Sequence, residues 1–335
     1  MDLDEFLAAV EVARRPELRG KPVVVGGRGD PTERAVVATA SYAAREFGIR
    51  SGIPLRTAAR RCPDAVFLPS DPPTYAAVSE QVMITLRRFP VVVEVLGWDE
   101  AFLGAHTGDP EALAAEVRRA VKLATGLVCS VGIGDNRLRA KLATGFAKPA
   151  GIYRLTRENW MPVMAAQPPE ALWGIGPKTA KKLAATGITS VYQLASTETD
   201  ELARRFGPTM GPWYRALALG AGGTDVSADG HLARSRSRET TFQQDISERS
   251  QLQSHLVALA GRVAEDVADE RRPAARVGVK VRFAPFFTRT RSVTLPAPTK
   301  DAEEITAAAL GLLDMFEPGR PVRLLGVRAE LEPPQ

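Results

Sequence analysis

The segment VVVEVLGWDEAFLGA, residues 91–105, contains two apolar runs that meet at Gly97, with two acids at the join. Runs of this kind separated by a turn residue predict two β-strands. Residues 109–126 have a helical pattern, and LVCSVGIG (127–134) predicts a further strand. Strand, strand, helix and strand in this order indicate a mixed α+β layer. The adjacent carboxylates Asp99 and Glu100 are therefore expected beside a strand of that layer.

A second pair of acids, Asp2 and Asp4, flanks Leu3 near the first residue. Oxygen ligands suit Mg²⁺, and two ions about 4 Å apart form the clamp used in nucleotidyl transfer. If folding joins Asp2 to Asp99 and Glu100, these acids can serve as such ligands. The alternative is that the first pair caps a helix and the second is a solvated turn. We expect Asp4 to be a cap, because it directly precedes a helical pattern.

The composition is that of an ordinary globular chain, with 335 residues, 44% of them hydrophobic and 25% charged, enough for two to four domains. The 44 Lys+Arg against 39 Asp+Glu favour a polyanionic partner only weakly. Two separated cysteines and three histidines argue against a disulfide framework or a zinc site. No signal peptide or bilayer-spanning stretch is recognisable, so we expect a cytoplasmic protein without membrane association.

Residues 174–183, GIGPKTAKKL, place a Gly-Ile-Gly turn before a helix with Pro177 suited to its first position. Backbone amides at such a turn can hold a phosphate, and the lysines that follow add positive charge. The pattern indicates a helix-hairpin-helix that binds the nucleic-acid backbone, with a simple interhelix turn as the alternative. The residues expected to contact DNA here are Gly174, Gly176, Lys178 and Lys181.

Residues 276–291 contain five basic residues and no acid. Alternation along a strand would put the basic residues on one face and valines on the other. A basic face with an apolar back fits a surface laid along a duplex, whereas the alternative, a solvated face, would usually include acids. Residues 221–238 lack apolar periodicity and are expected to be a linker. The residues expected to contribute to this one-sided basic sheet and to contact DNA are Arg236, Arg238, Lys280, Arg282, Arg289 and Arg291.

Five segments resemble, in order and spacing, the motifs of Y-family DNA polymerases, most closely the bacterial DinB type. They are DLDEFLAAVE, ATASYAAREFGIRSGIP, WDEAFL, VGIGDNRLRAKLATGFAKPAG and LWGIGPKTAKKL. The resemblance implies an α+β multidomain fold shaped like a right hand. The expected domains are a palm (1–5 and 71–160, first strand truncated), fingers (6–70), a helix-hairpin-helix thumb (161–226), a linker (227–235) and a little finger (236–332).

The resemblance also implies the roles of individual residues. It assigns catalysis and metal binding to Asp2, Asp99 and Glu100, with the carbonyl of Leu3 as a further ligand. Two Mg²⁺ ions, with Mn²⁺ as an alternative, would activate the primer 3′-OH and hold the triphosphate. The residues implied to bind the β- and γ-phosphates are Thr39, Tyr42, Arg45 and Lys148. Tyr42 and Arg45 are spaced i, i+3 and so share one helix face.

One departure from the family concerns the sugar of the incoming nucleotide. The position of Leu7 usually carries Tyr or Phe, a steric gate that excludes a 2′-OH. Leucine has no flat ring to fill that space. Our hypothesis is that Leu7 weakens sugar discrimination, so that rNTPs as well as dNTPs are substrates. The alternative is that Phe6 restores the exclusion.

Two further departures concern the ends. In the family an apolar strand leads into the first aspartate, whereas here Met1 takes the place of its last residue. We therefore expect a misassigned start with further residues upstream. The last residues, GVRAELEPPQ (326–335), lack the apolar peptide that docks on a sliding clamp in many such polymerases. We expect a monomer that does not bind the clamp through its tail.

Together these patterns predict a low-fidelity, template-directed DNA polymerase for translesion synthesis or gap filling, with primer-template DNA and dNTPs as substrates. The first alternative is a catalytically impaired relative that only binds DNA. The second is a nucleotide cyclase on a similar palm, which would keep the paired acids but has no need of a DNA-binding C-terminal half.

Overall fold

The computed structural model describes residues 1–230, 232–317 and 319–334. The strands are β1 (Asp2–Leu3), β2 (Val23–Val25), β3 (Thr39–Ala40), β4 (Val66–Leu68), β5 (Val92–Val95), β6 (Ala101–Gly104), β7 (Cys129–Gly134), β8 (Ile152–Leu155), β9 (Ser235–Ile246), β10 (Ala274–Phe283), β11 (Phe287–Thr299) and β12 (Val322–Leu331). The α-helices are α1 (Phe6–Arg14), α2 (Tyr42–Glu46), α3 (Leu55–Arg61), α4 (Pro72–Leu86), α5 (Pro110–Thr125), α6 (Arg137–Ala147), α7 (Trp160–Met164), α8 (Pro177–Ala184), α9 (Val191–Ser196), α10 (Thr199–Phe206), α11 (Met210–Ala218), α12 (Arg249–Ala268) and α13 (Ala302–Leu313). None of the helices in these ranges has the length and apolar character needed to cross a lipid bilayer.

The chain forms two compact units. The first contains Met1–Val25, Ala38–Arg50 and Leu68–His231, and the second contains Gly26–Val37, Ser51–Phe67 and Leu232–Gln335. The segment expected to form the fingers contributes to both units. The boundaries of the expected domains stay a prediction.

The strands of the first unit that carry the acids follow the predicted order of strand, strand, helix and strand. β5 and β6 form an antiparallel hairpin, and α5 leads from it to β7. β7 lies between β1, which is antiparallel to it, and β8, which is parallel. An isolated bridge between Asp2 and Glu100 connects β1 to the hairpin. The α+β layer predicted from residues 91–134 is thus confirmed.

The glycines of VGIG allow α6 to lie directly on β7. A Cβ atom on Gly132 would fall well inside van der Waals distance of the Ala140 carbonyl oxygen and the Thr144 amide nitrogen, and one on Gly134 would meet the backbone of Ala140. The obstacles are main-chain atoms of a helix, which cannot turn aside as a side chain would. The close approach matters for function, because α6 carries a lysine that faces the acids.

We expect Gly132→Ala to lower the free energy of unfolding by about 3 kcal/mol, since a methyl group there overpacks the contact between α6 and β7. Gly145→Ala is the matched control. Gly145 also lies in this part of the chain, within α6, but nothing lies within 4 Å of a Cβ atom built on it. That change should stabilise the protein by up to about 1 kcal/mol. Urea unfolding measures both, and equal stability of the two variants would contradict the account.

Short helices α7 to α11 form the next part of the first unit, around a core of its own. Its large, fully buried side chains include Trp160, Met164, Leu172, Leu183 and Leu194. The indole N–H of Trp160 donates a hydrogen bond of 2.8 Å to the carbonyl oxygen of Ala218, so α11 is fixed to α7. This arrangement positions the Gly-Ile-Gly turn of the predicted helix-hairpin-helix before α8.

The C-terminal part of the second unit is a four-stranded antiparallel sheet in the order β11-β10-β12-β9. The helices α12 and α13 pack on one of its faces through a shared hydrophobic core. The predicted alternation along β10 is confirmed: Val277, Val279 and Val281 are buried in this core, whereas Arg276 is exposed.

The segment expected to be a linker is more ordered than its composition suggested. Residues 235–238 belong to β9, so the expectation of a linker over 221–238 is wrong there. The carbonyl oxygen of Gly223 accepts a hydrogen bond from the Arg137 amide, and the Ser227 amide donates to Glu94. These partners come from elements far away in the sequence, which local periodicity does not reveal. His231 lies outside the described residues.

Candidate active site and nucleic-acid interface

The three predicted catalytic acids converge where β1 meets the β5–β6 hairpin. The backbones of Asp2 and Glu100 pair in an isolated antiparallel β-bridge. The amide of Leu3 donates a hydrogen bond of 2.7 Å to the carbonyl oxygen of Asp99. Leu3 itself is 1% exposed, so its main chain is held firmly beside the acids. Folding therefore brings Asp2, Asp99 and Glu100 together, and their role as ligands stays a prediction.

Two lysines face this group of acids. Lys148, predicted to bind phosphate, forms an ion pair with Asp2. Lys141 forms an ion pair with Glu100, and its Nζ lies 3.9 Å from Oδ2 of Asp2. Sequence reasoning did not single out Lys141. No local signal marks it, because Lys148 lies beyond the last residue of α6 and the two lysines reach the acids only through tertiary contacts.

The electrostatics of the acids suit a cation. Burial, together with the nearby charge of Asp2, raises the pKa of Asp99. Burial also lowers the pKa of Lys141. Within the described ranges, no three His, Cys, Asp or Glu side chains are already gathered as a metal cage. The donors are nonetheless all oxygens, as a hard divalent cation prefers, and such a cation would supply positive charge beside Asp99.

Asp4 does not cap α1, so that expectation is wrong. The N-cap is Glu5, in a left-handed conformation with a φ of 45°. The Asp4 side chain is 4% exposed and turns inward, where it accepts hydrogen bonds from the Ser130 hydroxyl (2.9 Å) and the Ala150 amide (2.7 Å). A buried carboxylate needs such partners. Asp4 therefore links β1 to β7 and to the loop that carries Lys148.

The predicted phosphate-binding residues of α2 share one face, as their spacing indicated. The guanidinium carbon of Arg45 lies 4.8 Å from the ring centroid of Tyr42, and Arg45 Nε donates to the Ala40 carbonyl oxygen at 2.9 Å. Thr39 lies in β3, next to α2. The buried hydroxyl of Tyr42 makes no hydrogen bond of standard geometry within the described residues. Burial, with the nearby charge of Asp4, raises the pKa of this tyrosine.

Leu7 and Phe6 have different environments at the start of α1. Phe6 is 3% exposed and packs edge-on against Tyr75, with ring centroids 6.4 Å apart. Tyr75 is fully buried and donates a hydrogen bond to Glu11. Leu7 is only partly buried. Phe6 is therefore part of the hydrophobic core. This argues against the alternative that Phe6, in place of Leu7, excludes the 2′-OH of an incoming ribonucleotide.

A cavity of about 710 Å³ lies beside the acids in the first unit. Its walls include β6 from Ala101 to Gly104 and β7 from Val131 to Gly134, with Met1 and Asp2 also lining it. The Met1 amine donates a hydrogen bond of 2.9 Å to the Ala101 carbonyl oxygen, and burial lowers its pKa to about 6.

The predicted hairpin is present before α8. The N-cap of α8 is Gly176, and Pro177 occupies the first helical position. Gly174 has a φ of +106°, and a Cβ atom there would lie 2.7 Å from the Trp213 ring, so only glycine fits. Ile175 between them is buried. The lysines Lys178, Lys181 and Lys182 are exposed, and in the described part of the chain no acid pairs with them.

Comparisons with known proteins identify the family. Residues 1–145 match the model of the impB/mucB/samB family, residues 233–331 match the model of its C-terminal domain, and residues 171–209 match a SAM-like helix-hairpin-helix tandem. DNA polymerase IV 2 of Mycobacterium tuberculosis is 54% identical over 99% of this chain and 96% of its own length. The DNA polymerase IV of Methanoculleus marisnigri is 40% identical over 99% of this chain and 93% of its own.

The chain belongs to the Y-family DNA polymerases. A solved structure with the same fold is the Y-family DNA polymerase chimera Dbh-Dpo4(243-245)-Dbh, with a TM-score of 0.87, 22% identity, and coverage of 98% of this chain and 97% of that one. The right-hand polymerase fold with a helix-hairpin-helix is thereby confirmed.

In this Y-family polymerase the basic residues of the C-terminal sheet lie on two faces, so the expectation of a one-sided basic sheet is wrong. In antiparallel strands, residues directly opposite each other share a face. Arg236 and Arg238 on β9 lie opposite Ala329 and Val327, and Arg289 and Arg291 on β11 lie opposite Val281 and Val279. These four arginines therefore share the face that α12 and α13 cover, at its two edges. Lys280 and Arg282 occupy the open face.

Acids from other elements partner several of these cations. Arg238 makes two hydrogen bonds, of 2.7 and 2.5 Å, to Asp266 on α12. Arg236 donates from two nitrogens to a single oxygen of Glu270, and Lys280 donates to Glu239 on β9 at 2.7 Å. The basic run contains no acid along the chain, but tertiary neighbours supply them. Arg282 bonds only to the Thr288 hydroxyl, at 2.9 Å, among its hydrogen bonds in the described ranges.

We expect Arg282→Ala to reduce the slope of log affinity for DNA against log salt by about 1, because a free guanidinium releases about one counterion on binding a phosphate. Arg238→Ala is the matched control and should change the slope less, since Asp266 already neutralises Arg238. Fluorescence anisotropy with a labelled primer-template between 50 and 200 mM salt, about the range over which such contacts are lost, measures both. Equal changes in the two variants would contradict the assignment.

Proposed function

We propose that this polymerase transfers nucleotides at Asp2, Asp99 and Glu100 on a primer-template, in translesion synthesis or gap filling. Family membership makes the chain a DNA-directed DNA polymerase. The observation that supports the location of the chemistry is the convergence of three acids from β1 and the β5–β6 hairpin, with Lys141 and Lys148 facing them.

One set of residues would bind metal ions and another set would bind the phosphates of the nucleotide. Asp2, Asp99, Glu100 and the Leu3 carbonyl would hold two Mg²⁺ ions, with Mn²⁺ as an alternative. Bound there, the ions would make the primer 3′-OH a better nucleophile and stabilise the leaving pyrophosphate. Lys148, which forms an ion pair with Asp2, would bind the triphosphate. Thr39, Tyr42 and Arg45 would bind the same phosphates, with Arg45 making charge-assisted hydrogen bonds.

The partners follow from this chemistry. We infer that the substrates are primer-template DNA and dNTPs, with rNTPs also accepted because of Leu7. The hairpin at Gly174 and Gly176, with Lys178 and Lys181, would bind backbone phosphates, and so would Lys280 and Arg282 of the second unit. Low fidelity, a monomeric state, a cytoplasmic location and the absence of clamp binding through the tail are further parts of the proposal.

Removal of divalent ions tests the proposal. With excess EDTA, extension of a primed template should stop while DNA binding persists. The helix-hairpin-helix and the basic residues of the C-terminal sheet would bind DNA without the metal. Added Mg²⁺ or Mn²⁺ should restore extension. Metal-independent extension would refute the assignment of the three acids.

A further inference from the structure

Trp98 stands at the tip of the β5–β6 hairpin, immediately before Asp99, and is 44% exposed. The turn that carries it is closed by a hydrogen bond of 3.0 Å from the Leu96 amide to the Glu100 carbonyl oxygen. The carbonyl oxygen of Asp99 in turn accepts from Leu3. The tryptophan backbone therefore has a fixed position beside the acids.

The ring of Trp98 rests on a rigid base. Its centroid is 6.4 Å from that of Tyr75, at an interplanar angle of 57°, and Tyr75 packs in the same way on Phe6. Tyr75 is fully buried and its hydroxyl is fixed by Glu11, at 2.9 Å. Of the three rings only Trp98 is open to solvent. A single exposed apolar side chain is ordinary, but this one is supported from below and adjoins a predicted catalytic carboxylate.

Trp98 lies on the β5–β6 hairpin, which carries none of the proposed phosphate-binding residues. The phosphate-binding residues come from β3, α2 and Lys148, which directly follows α6. In phosphoryl transfer the attacking and leaving oxygens lie roughly in line, on opposite sides of the phosphorus. The β5–β6 hairpin is therefore the part of the site at which a primer end is expected. Gly97 lies beside both acids, because a Cβ atom on it would be at an ordinary contact distance, 3.8 Å, from Asp99 and Glu100.

We propose that Trp98 packs its ring against the sugar of the primer's terminal nucleotide and so directs the 3′-OH toward Asp99 and Glu100. The inference rests on the proposed function and adds a primer-contacting residue to it. The ring offers a large, flat apolar surface for the C–H groups of a deoxyribose. The contact concerns the primer, and Leu7 concerns the incoming nucleotide.

A cycle of protein and primer changes tests the contact. Single-turnover extension is measured with two primers, one ending in deoxyribose and one ending in an open-chain analogue that keeps the base and the hydroxyl. The wild-type enzyme should extend the open-chain primer more slowly than the deoxyribose primer, and the ratio of the two rates defines the penalty. This penalty should be about tenfold smaller in Trp98→Ala, because that variant has no ring to contact the sugar of either primer. Trp98→Phe keeps a ring and should retain most of the penalty. Equal penalties in wild type and Trp98→Ala would overturn the proposal.

A parallel cycle with an open-chain nucleoside triphosphate and an ordinary primer locates the effect. The rate penalty of the open-chain triphosphate should be the same in wild type and Trp98→Ala. If this penalty alone differed between the two proteins, the ring would contact the incoming nucleotide, and the proposal would be overturned. A general folding defect in Trp98→Ala would scale the rates of both primers alike and leave the penalty unchanged. If wild type extended neither primer, the proposed function would fail, and the inference about Trp98 with it.

Discussion

Asp99→Asn is expected to reduce primer extension by at least about 10³-fold while leaving affinity for primer-template DNA nearly unchanged. The amide keeps the size of the side chain but removes the negative charge that a divalent ion needs, and losses of this size follow removal of a group that stabilises the transition state. Glu100→Gln should behave alike, since Glu100 is the bridge partner of Asp2. Single-turnover kinetics at saturating dNTP measure the chemical step, and anisotropy measures DNA binding.

Glu111→Gln is the matched control for these acids. Glu111 lies in the same unit on α5, but its side chain is 48% exposed and pairs with Arg154 at the surface. Extension should stay within about twofold of wild type, because exposed ion pairs contribute little to stability. Asp99→Asn with wild-type extension rates would show that the chemistry takes place elsewhere.

Leu7→Tyr is expected to raise the preference for dNTPs over rNTPs by about 10- to 200-fold, the discrimination that fit in a pocket can supply. Leu7 is partly buried at the start of α1, where the resemblance expects the ring that excludes a 2′-OH. A tyrosine would fill that space. The measurement is the ratio of kcat/KM for each dNTP to that for the matching rNTP, with the same primer-template.

Phe6→Leu serves as the control for position. Phe6 is 3% exposed and packs on Tyr75, so its loss should reduce stability but not change the sugar preference. An unchanged ratio in Leu7→Tyr would refute the hypothesis about Leu7. A changed ratio in Phe6→Leu would instead favour the view that Phe6 restores the exclusion.

Local patterns predicted the elements of this site well. The two apolar runs around Gly97 form the β5–β6 hairpin, and the Gly-Ile-Gly turn precedes α8 with Pro177 as its first residue. The alternation of β10 was also readable, because a strand buried on one face must repeat every two residues. In each case the residues that decide the structure are neighbours in the sequence.

Contacts across long sequence distances could not be read in this way. Asp4 has the local appearance of a helix cap, yet its partners Ser130 and Ala150 are 126 and 146 residues away. The faces of the arginines on β9 and β11 depend on strand register, which the basic run does not encode. Lys141 meets Glu100 only after α6 has packed on β7 through Gly132.

Primer extension by the wild-type chain, on a primed DNA template with Mg²⁺ and dNTPs or rNTPs in parallel, tests the central claim most directly. We expect template-directed extension with dNTPs, and slower extension with rNTPs because of Leu7. Binding of the primer-template without extension in either lane would contradict nucleotidyl transfer at Asp2, Asp99 and Glu100.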